Sequence, residues 1–304
     1  MKYLYKYPQA DYPYSQLVEE NARRGRDRPP FSLLDTGVFQ DNRYWDVQVE
    51  YAKASTDEIH IRIIASNRSP EAATLHLLPT LWFRNTWSWD KEAPEKPMLE
   101  SGCQSEAVWS VKAAHTELGE YHLYGKQPAD LLFTENESNS QRLWGLANAK
   151  PYVKDSFHRR LIENDCSAVN SSLAGTKCAA WYKLTVPAGG VETIELVLTA
   201  RVTPNPFAIT DTLFLRRQAE ADAFYKGVLP KEVDADDHRL FRQAMAGMIW
   251  SKQFFHFDVL RWLQGDGLPP PENRKFGRNA HWKHLRAGDV ISMPDTWEYP
   301  WFAA

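Results

Sequence analysis

The fold is decided in two neighbouring stretches, Tyr44-Trp-Asp-Val-Gln-Val-Glu-Tyr-Ala52 and Glu58-Ile-His-Ile-Arg-Ile-Ile-Ala65, in which apolar and polar side chains alternate. Successive side chains of a β-strand point to opposite faces, so this alternation predicts two strands. The second stretch places His60 and Arg62 on one face. On the other face lie three isoleucines, Ile59, Ile61 and Ile63. A strand with one apolar face favours a sheet that packs against a core on one side.

Further strand candidates follow at roughly ten-residue spacing. They are Thr74–Phe83, Ala107–Lys112, Glu120–Tyr124, Leu131–Thr134, Cys178–Val186 and Glu192–Val202. Pro-Ala-Gly-Gly at 187–190 separates the last two and predicts a β-hairpin. Pro79 predicts a bend or a sheet edge. Residues 1–43 are predicted to be irregular, with a solvated charged turn or short helix at 19–26. Many strands at this spacing favour a large antiparallel sandwich, interrupted by a polar interval at about 135–175 with one short helix near Asp155–Ile162.

After Pro204-Asn-Pro206 the period of the pattern changes to that of an α-helix. Helices are predicted at Ile209–Val228 and Asp234–Gly265. The second opens with Asp-Ala-Asp-Asp, acidic residues typical of a helix N-terminus, and ends before Gly267-Leu-Pro-Pro-Pro271. The sequence therefore predicts a β domain followed by the start of an α domain.

The composition excludes several classes of function. The chain has 304 residues and a net charge of -3, with no basic footprint for nucleic acid and no polybasic membrane patch. It has neither an apolar run of roughly 18–20 residues that could span a membrane nor a secretion signal. Three cysteines without metal-like spacing predict reduced thiols in a cytoplasmic protein. No Gly-rich phosphate loop occurs, so no cofactor is expected.

The chain is rich in aromatic residues, with 12 Trp, 13 Tyr and 14 Phe. Such residues serve either as anchors of a large core or as the walls of a cleft for a flat amphipathic ligand such as a sugar ring. The stretch Leu78–Trp89 holds Trp82, Trp87 and Trp89 beside Arg84 and Asn85. Its planar donors suit hydroxyl groups or a carboxylate; alternatively, the tryptophans cover the edge of the sandwich and Arg84 forms a structural ion pair.

Two further motifs carry polar groups. Lys252 and His256 are four residues apart and would share one face of the predicted helix, either to bind a substrate or as satisfied structural groups. His281 and His284 are three apart, but no third ligand has suitable spacing. No metal is therefore expected.

The C-terminal stretch Asp289–Ala304 combines carboxylates with aromatic residues. Glycoside hydrolysis needs this composition, because one acid protonates the leaving oxygen, a second carboxylate activates water and aromatic faces hold the ring. Asp295, which follows Met-Pro, could equally cap a helix. An aromatic end of this kind is expected to be buried, which suggests that the chain is part of a longer protein.

Four motifs together resemble the large bacterial glucosidase-like proteins of glycoside hydrolase family 63, which are relatives of the mannosyl-oligosaccharide glucosidases. The motifs are Leu81-Trp-Phe-Arg-Asn-Thr-Trp-Ser-Trp89, Pro151-Tyr-Val-Lys-Asp-Ser-Phe-His158, Trp250-Ser-Lys-Gln-Phe-Phe-His-Phe-Asp-Val259 and Ser292-Met-Pro-Asp-Thr-Trp-Glu-Tyr-Pro-Trp-Phe-Ala-Ala304. The resemblance implies a mainly β protein with C-terminal helices. Its parts would be an antiparallel β super-sandwich at 1–205, incomplete at its N-terminus, a linker helix at 206–233 and the first hairpin of a truncated six-hairpin α/α barrel at 234–304.

The resemblance also implies an activity, the inverting cleavage of α-linked gluco- or manno-configured sugars by two carboxylates. In the relatives the Pro-Trp-Phe-Ala-Ala motif continues into Trp-Asp, so the general acid is expected just beyond Ala304 and this chain is expected to be an inactive internal fragment. Glu298 is the alternative catalytic candidate. The resemblance assigns substrate binding to Tyr299, Trp301, Phe302, Arg84, Trp87 and Trp89, with Trp82 nearby. The other reading is a non-catalytic β-sandwich that binds a carbohydrate or a partner chain.

Overall fold

The structure is a computed structural model that describes residues 1–88, 95–105, 107–230, 232, 234–250, 252–265 and 270–292. It is mainly β, with antiparallel sheets and with longer helices toward the C-terminal end, as predicted. The described residues fall into two compact units. The first comprises Met1–Asn85 and Glu95–Phe214, and the second comprises residues 86–88 and the described residues after 214. The predicted boundaries of the super-sandwich, linker and barrel remain a prediction.

The first unit contains twelve of the described strands. They are β1 Lys2–Pro8, β2 Tyr44–Ser55, β3 Glu58–Asn67, β4 Ala73–Leu77, β5 Thr80–Trp82, β6 Met98–Gln104, β7 Trp109–His115, β8 Gly119–Gly125, β9 Asp130–Thr134, β10 Ala174–Gly175, β11 Lys177–Val186 and β12 Val191–Thr199. The predicted strand at 74–83 is divided into β4 and β5 around Pro79. Both pair with β11 in one continuous register and with no other described strand, so Pro79 lies at an edge of the smaller sheet, which was one of the two predicted alternatives.

The first unit also contains three helices and the start of a fourth. They are α1 Tyr14–Arg23, α2 Ser140–Trp144, α3 Ser156–Ile162 and the first residues of α4 Thr210–Val228. The short helix expected near 155–162 is confirmed by α3. The expectation that residues 1–43 are irregular is wrong at β1. The short helix that was one alternative at 19–26 is present as α1, which begins earlier, at Tyr14. The sequence signal was weak because β1 has apolar or aromatic side chains on both faces of its centre.

The strands of the first unit form two antiparallel sheets. The larger sheet has eight strands in the order β1-β2-β3-β12-β8-β7-β6-β10. In the smaller sheet, β11 pairs with β4, β5 and β9. The two sheets pack face to face over the largest buried cluster, with Leu99, Val111 and Leu196 from the larger sheet against Phe133 and Cys178 from the smaller one. This arrangement confirms the predicted antiparallel sandwich.

The predicted hairpin between β11 and β12 is wrong. The turn at 187–190 does form, with the amide of Gly190 donating to the carbonyl of Pro187 at 2.9 Å. However, β11 belongs to the smaller sheet, whereas β12 pairs with β3 and β8 in the larger one. Turn residues allow the chain to reverse direction but do not specify which strands pair, and here they let it pass from one sheet to the other.

Both faces of β3 are covered. Its isoleucine face contacts the core as predicted, with Ile63 buried. His60 and Arg62 lie on the opposite face, also as predicted, but His60 is completely buried there. The start of α4 packs over this face through Leu213 and Phe214. The alternation fixed which side chains share a face, while the covering helix comes from a distant part of the chain.

The second unit contains most of α4, α5 Ala235–Trp250, β13 Lys252–Asp258, α6 Val259–Gln264 and β14 Arg286–Ser292. The predicted helix at 209–228 is confirmed by α4. The predicted helix at 234–265 is confirmed at α5 and α6 but is wrong at Lys252–Asp258, where β13 pairs with β14 in a two-stranded sheet. Lys252 and His256 therefore share no helix face. Phe-Phe-His-Phe is aromatic and prefers strand to helix.

None of the described helices is both long and apolar enough to cross a membrane.

Candidate functional site

Most of the predicted site residues lie outside the described residues. These are Trp89, Asp295, Glu298, Tyr299, Trp301 and Phe302. Arg84 and Trp87 are described: Arg84 is exposed at the end of the first unit's first segment, and Trp87 is partly buried and belongs to the second unit. The geometry that can be examined is therefore that of the loop around Arg84 within the first unit.

The chain leaves β5 in a defined conformation. Trp82, the last residue of β5, pairs with Lys177 of β11 and leaves 54% of its surface exposed. The next amide, that of Phe83, donates to the carbonyl of Thr176 at 3.1 Å, and the Phe83 side chain packs against the main core. This anchor fixes the point from which Arg84 projects into solvent.

A pair of asparagines holds the same loop from the other side. Asn85 donates through Nδ2 to the carbonyl of Asn136 at 3.1 Å, and Asn136 donates through Nδ2 to the carbonyl of Phe83 at 2.8 Å. Asn136 comes two residues after β9. The exchange ties the loop after β5 to the loop after β9, so both loops emerge at one edge of the smaller sheet.

Thr176 joins these loops to the start of β11. Its hydroxyl donates to Glu135 Oε2 at 2.7 Å and accepts from the amide of Asn136 at 2.8 Å. The neighbouring Gly175 is required by close backbone approach, since a Cβ at this position would lie 2.4 Å from the carbonyl oxygen of Thr134. A larger residue there would push β11 away from β9.

A single lysine bridges the two carboxylates of the β9 loop. Lys96 Nζ lies 2.8 Å from Glu135 Oε2 and 3.2 Å from Glu137 Oε1. All three side chains are partly buried. We call this group of side chains the strand-end cluster. It consists of Asn85, Lys96, Glu135, Asn136, Glu137 and Thr176.

The strand-end cluster offers hydrogen-bond partners in fixed positions. Its amides, hydroxyl, ammonium and carboxylates resemble the polar groups that orient a hydroxylated ligand. Trp82 and Arg84 are the sequence neighbours of Phe83, whose carbonyl accepts from Asn136. Both carboxylates lie within ion-pair distance of the same ammonium group. Sequence reasoning found Arg84 and Asn85 but missed Lys96 and the Glu135-Asn-Glu137 triplet. The signal available was three polar residues directly after a buried strand.

Other aromatic residues near this edge have structural contacts. Trp181 donates through Nε1 to His76 Nδ1 at 2.9 Å, and the guanidinium of Arg160 lies 5.0 Å from the centre of its ring. Lys177 Nζ lies 4.7 Å from the ring centre of Phe157 and donates to a main-chain carbonyl. Partial burial, with a smaller contribution from Lys154, lowers the pKa of Lys177. These contacts hold α3 on the smaller sheet.

Among the described residues, no group of three or more His, Cys, Asp and Glu side chains is placed to hold a metal ion.

Comparison with known proteins gives one clear relative. The chain is 35% identical to Uncharacterized protein YMR196W of Saccharomyces cerevisiae over an alignment of 354 residues, which covers the whole of this chain and 32% of that protein. The chain thus spans about a third of the length of this relative. No known protein-family profile matches the chain.

One solved structure, a putative kojibiose phosphorylase from the human microbiome, aligns with 71% of this chain and 23% of its own. The identity is 10% and the TM-score is 0.27, a similarity too low to indicate what this chain does. Neither comparison confirms glycoside hydrolase family 63.

Proposed function

We propose that this chain binds sugar as part of a carbohydrate-active protein. We further propose that the whole protein is an inverting glycoside hydrolase that acts on an α-linked gluco- or manno-configured sugar. Inversion requires two carboxyl groups roughly 6.5–9.5 Å apart, which leaves room for a water molecule between the general base and the sugar. The proposal gives residues 1–304 a role in binding and no catalytic acid. Its support is the set of four motifs that resembles family 63.

The observation that carries the binding role is the strand-end cluster, whose β5 loop also contains the exposed Arg84 and directly follows the exposed Trp82. Sugars present hydroxyl groups around an apolar ring, so their sites combine a flat aromatic surface with several oriented donors and acceptors. The loops after β5 and β9 provide both within one edge of the smaller sheet. The general acid and base would be contributed by another part of the whole protein.

The binding role is tested by calorimetric titration of purified residues 1–304 with maltose, kojibiose and an α-mannobiose. We expect weak binding of at least one disaccharide, and we expect Arg84→Ala to weaken it by about tenfold or more, as loss of a hydrogen bond from a charged group does. Arg201→Ala is the matched control, because Arg201 is also exposed in the first unit. Equal affinity of the two variants, or no binding of any disaccharide, would contradict the binding role.

The proposal that residues 1–304 contain no catalytic acid is tested by an activity assay. Purified residues 1–304 are expected not to hydrolyse p-nitrophenyl α-glucoside or kojibiose. Robust hydrolysis that Glu298→Gln abolishes would instead make Glu298 the catalytic residue of an active enzyme and refute the proposed division of roles.

The second candidate is a binding module without chemistry. It is favoured by the bridging of Glu135 and Glu137 by Lys96, which commits both described carboxylates of the cluster to structural pairs. If the whole protein, of which this chain is proposed to be a part, binds disaccharides through Arg84 and hydrolyses none of them, this second candidate is correct.

A further inference from the structure

Strand β1 carries three exposed tyrosines on one face. Tyr3, Tyr5 and Tyr7 are 49%, 63% and 46% exposed. They alternate along the strand and therefore point to the same side of the sheet. In the register with β2, they lie opposite Val49, Val47 and Trp45, respectively. Since β1 is the edge strand of the eight-stranded sheet, this row of rings stands at the margin of the sandwich.

The tyrosines lie on the core-facing side of the larger sheet. Their partners Val47 and Val49 pack against the main core, and Trp45 is 1% exposed in the adjoining cluster. The smaller sheet covers β2 and β3 on this side, where Leu75 of β4 contacts the same cluster as Trp45. The smaller sheet does not reach the tyrosine rings of β1. Among the described residues, these rings therefore form an exposed apolar surface that is continuous with the core.

A fourth tyrosine extends the row. Tyr51 of β2 lies on the same face as Val47 and Val49 by strand alternation and is 36% exposed. Its amide donates to the carbonyl of Met1 at 2.9 Å, so Tyr51 lies diagonally next to Tyr3 across the two strands, and partial burial, with a smaller contribution from Tyr3, raises the pKa of Tyr51. We call Tyr3, Tyr5, Tyr7 and Tyr51 the tyrosine strip.

The geometry of the tyrosine strip suits stacking. The ring centres of Tyr5 and Tyr7 are 6.1 Å apart, and their planes are inclined by 30°. Two residues along a strand advance about 6.6–6.8 Å, a spacing of the same order as the rise per ring in an extended glycan. Tyrosine gives a rigid amphipathic surface at low entropic cost, with a hydroxyl group for hydrogen bonding.

The part of the strip on β1 carries no charge, which favours a neutral ligand there. Neither the three tyrosines of β1 nor their neighbours Val47 and Val49 are charged, and the charged residues of β1 lie on the opposite face, where Lys6 is paired with Asp46 at 2.7 Å. Lys53 of β2 shares the face of the rings, but it lies beyond Tyr51, at the end of the strip.

We propose that the tyrosine strip is a second, non-catalytic binding surface for a neutral glycan chain, whose sugar rings stack on Tyr3, Tyr5 and Tyr7. The inference rests on the proposed carbohydrate function and extends it. The strand-end cluster would bind the terminal sugars of a substrate, and the strip would bind the rest of a longer glycan chain. Polymers are then retained by the strip, whereas disaccharides are too short to depend on it.

The test is electrophoresis of purified residues 1–304 in native gels that contain glycogen, dextran or yeast mannan. Retardation by at least one polysaccharide is expected. The variant Tyr3→Thr/Tyr5→Thr/Tyr7→Thr removes the rings and keeps β-branched residues that favour a strand. Each stacked ring should contribute about 2- to 10-fold in affinity, so the triple variant should migrate as it does without polysaccharide. Leu4→Thr is the matched control, since Leu4 lies on the opposite face of the same strand, is 58% exposed and should remain retarded.

The outcomes separate this inference from the proposed function. Loss of retardation in the triple variant, with unchanged disaccharide binding in the calorimeter, supports the strip. Retardation that persists in the triple variant, or no retardation of the unmodified chain by any of the three polysaccharides, overturns the strip but leaves the disaccharide test of the proposed function intact. If the unmodified chain is a dimer by light scattering and the triple variant is a monomer, the strip is an interface between two copies and the inference is wrong. Circular dichroism of the triple variant checks that it is folded, and Tyr5→Thr alone replaces it if it is not.

Discussion

Asn67 is almost completely buried at the corner where the chain passes from the smaller sheet to the larger one. Its Nδ2 donates to the carbonyls of Glu71 and Val186 at 2.8 and 3.0 Å, and lies 3.1 Å from that of Pro187. Its Oδ1 accepts from the amide of Ser69 at 3.0 Å. One side chain therefore satisfies the carbonyl oxygens at the end of β11, where the chain crosses between the sheets.

Replacement of Asn67 by Ala should lower the free energy of unfolding by about 1–3 kcal/mol, because several buried carbonyls lose their donor. The measurement is urea denaturation followed by tryptophan fluorescence. Asn205→Ala, at an exposed position of the same unit, should change the value by no more than about 0.5 kcal/mol. Equal effects of the two substitutions would show that the side chain of Asn67 does not stabilise the crossing between the two sheets.

At the scale of elements, the start of α4 is attached to the larger sheet by a network of polar side chains. His60 Nδ1 lies 2.9 Å from Thr210 Oγ1. Arg62 bonds to Glu195 of β12 and to Asp211 of α4, and its guanidinium lies 4.4 Å from the ring centre of Phe214. These contacts attach the start of α4 to the polar face of β3 within the first unit. Because His60 is buried, its ring nitrogens need hydrogen-bond partners.

Thr210→Val should lower the free energy of unfolding by about 1–3 kcal/mol, since the substitution keeps the shape of the side chain and leaves a buried ring nitrogen of His60 without its partner. Thermal and urea denaturation would measure the change. The control is Thr212→Val in the same helix, where the exposed hydroxyl bonds only to the carbonyl of Ile209. If the two variants are equally stable, the hydroxyl of Thr210 does not contribute to the attachment of α4 to β3.

At the scale of the whole molecule, the sandwich core contains two ionisable groups between its sheets. Burial raises the pKa of Tyr182 from 10.0 to about 12 and that of Cys178 from 9.0 to about 12. Tyr182 also accepts a hydrogen bond from Trp109 Nε1 at 3.0 Å, which connects the two sheets. The other two cysteines are exposed and all three are free, as the sequence predicted.

Stability should fall as the pH rises from about 9 to 12. Over that range the unfolded chain loses the protons of the thiol and the phenol while the folded chain retains them, so the unfolded state binds fewer protons and the free energy of unfolding decreases with pH. Tyr182→Phe is expected to make this slope shallower above pH 10, even though it lowers stability at neutral pH. Urea denaturation at a series of pH values measures the slope. Tyr14→Phe, at an exposed position, should leave the slope unchanged, and a steeper slope or no change in Tyr182→Phe would contradict the assignment.

At the scale of the whole molecule, some features of the fold and of the candidate site could be predicted from the sequence and others could not. Alternation at 44–52 and 58–65 determined the strands, the face of each side chain and the antiparallel sandwich, because the period of a strand is a local property of the backbone. The sheet edge at Pro79 follows from the missing backbone donor of proline, and the helices at 156–162 and 210–228 also reflect local patterns. Of the candidate site, the sequence identified Arg84 and Asn85 in the loop after β5.

Other features depended on contacts between distant segments. The sequence could not reveal that β11 and β12 lie in different sheets, because a turn reverses the chain whichever strands it connects. The strand at 252–258 forms through its pairing with Arg286–Ser292, which lies well beyond the range of a local pattern. Lys96 meets Glu135 and Glu137 only because three loops converge at one sheet edge, and the tyrosine strip is open only because the smaller sheet ends before it. Local periodicity determines which strands form, whereas which surfaces are covered is decided by packing, since burial is a property of the whole chain.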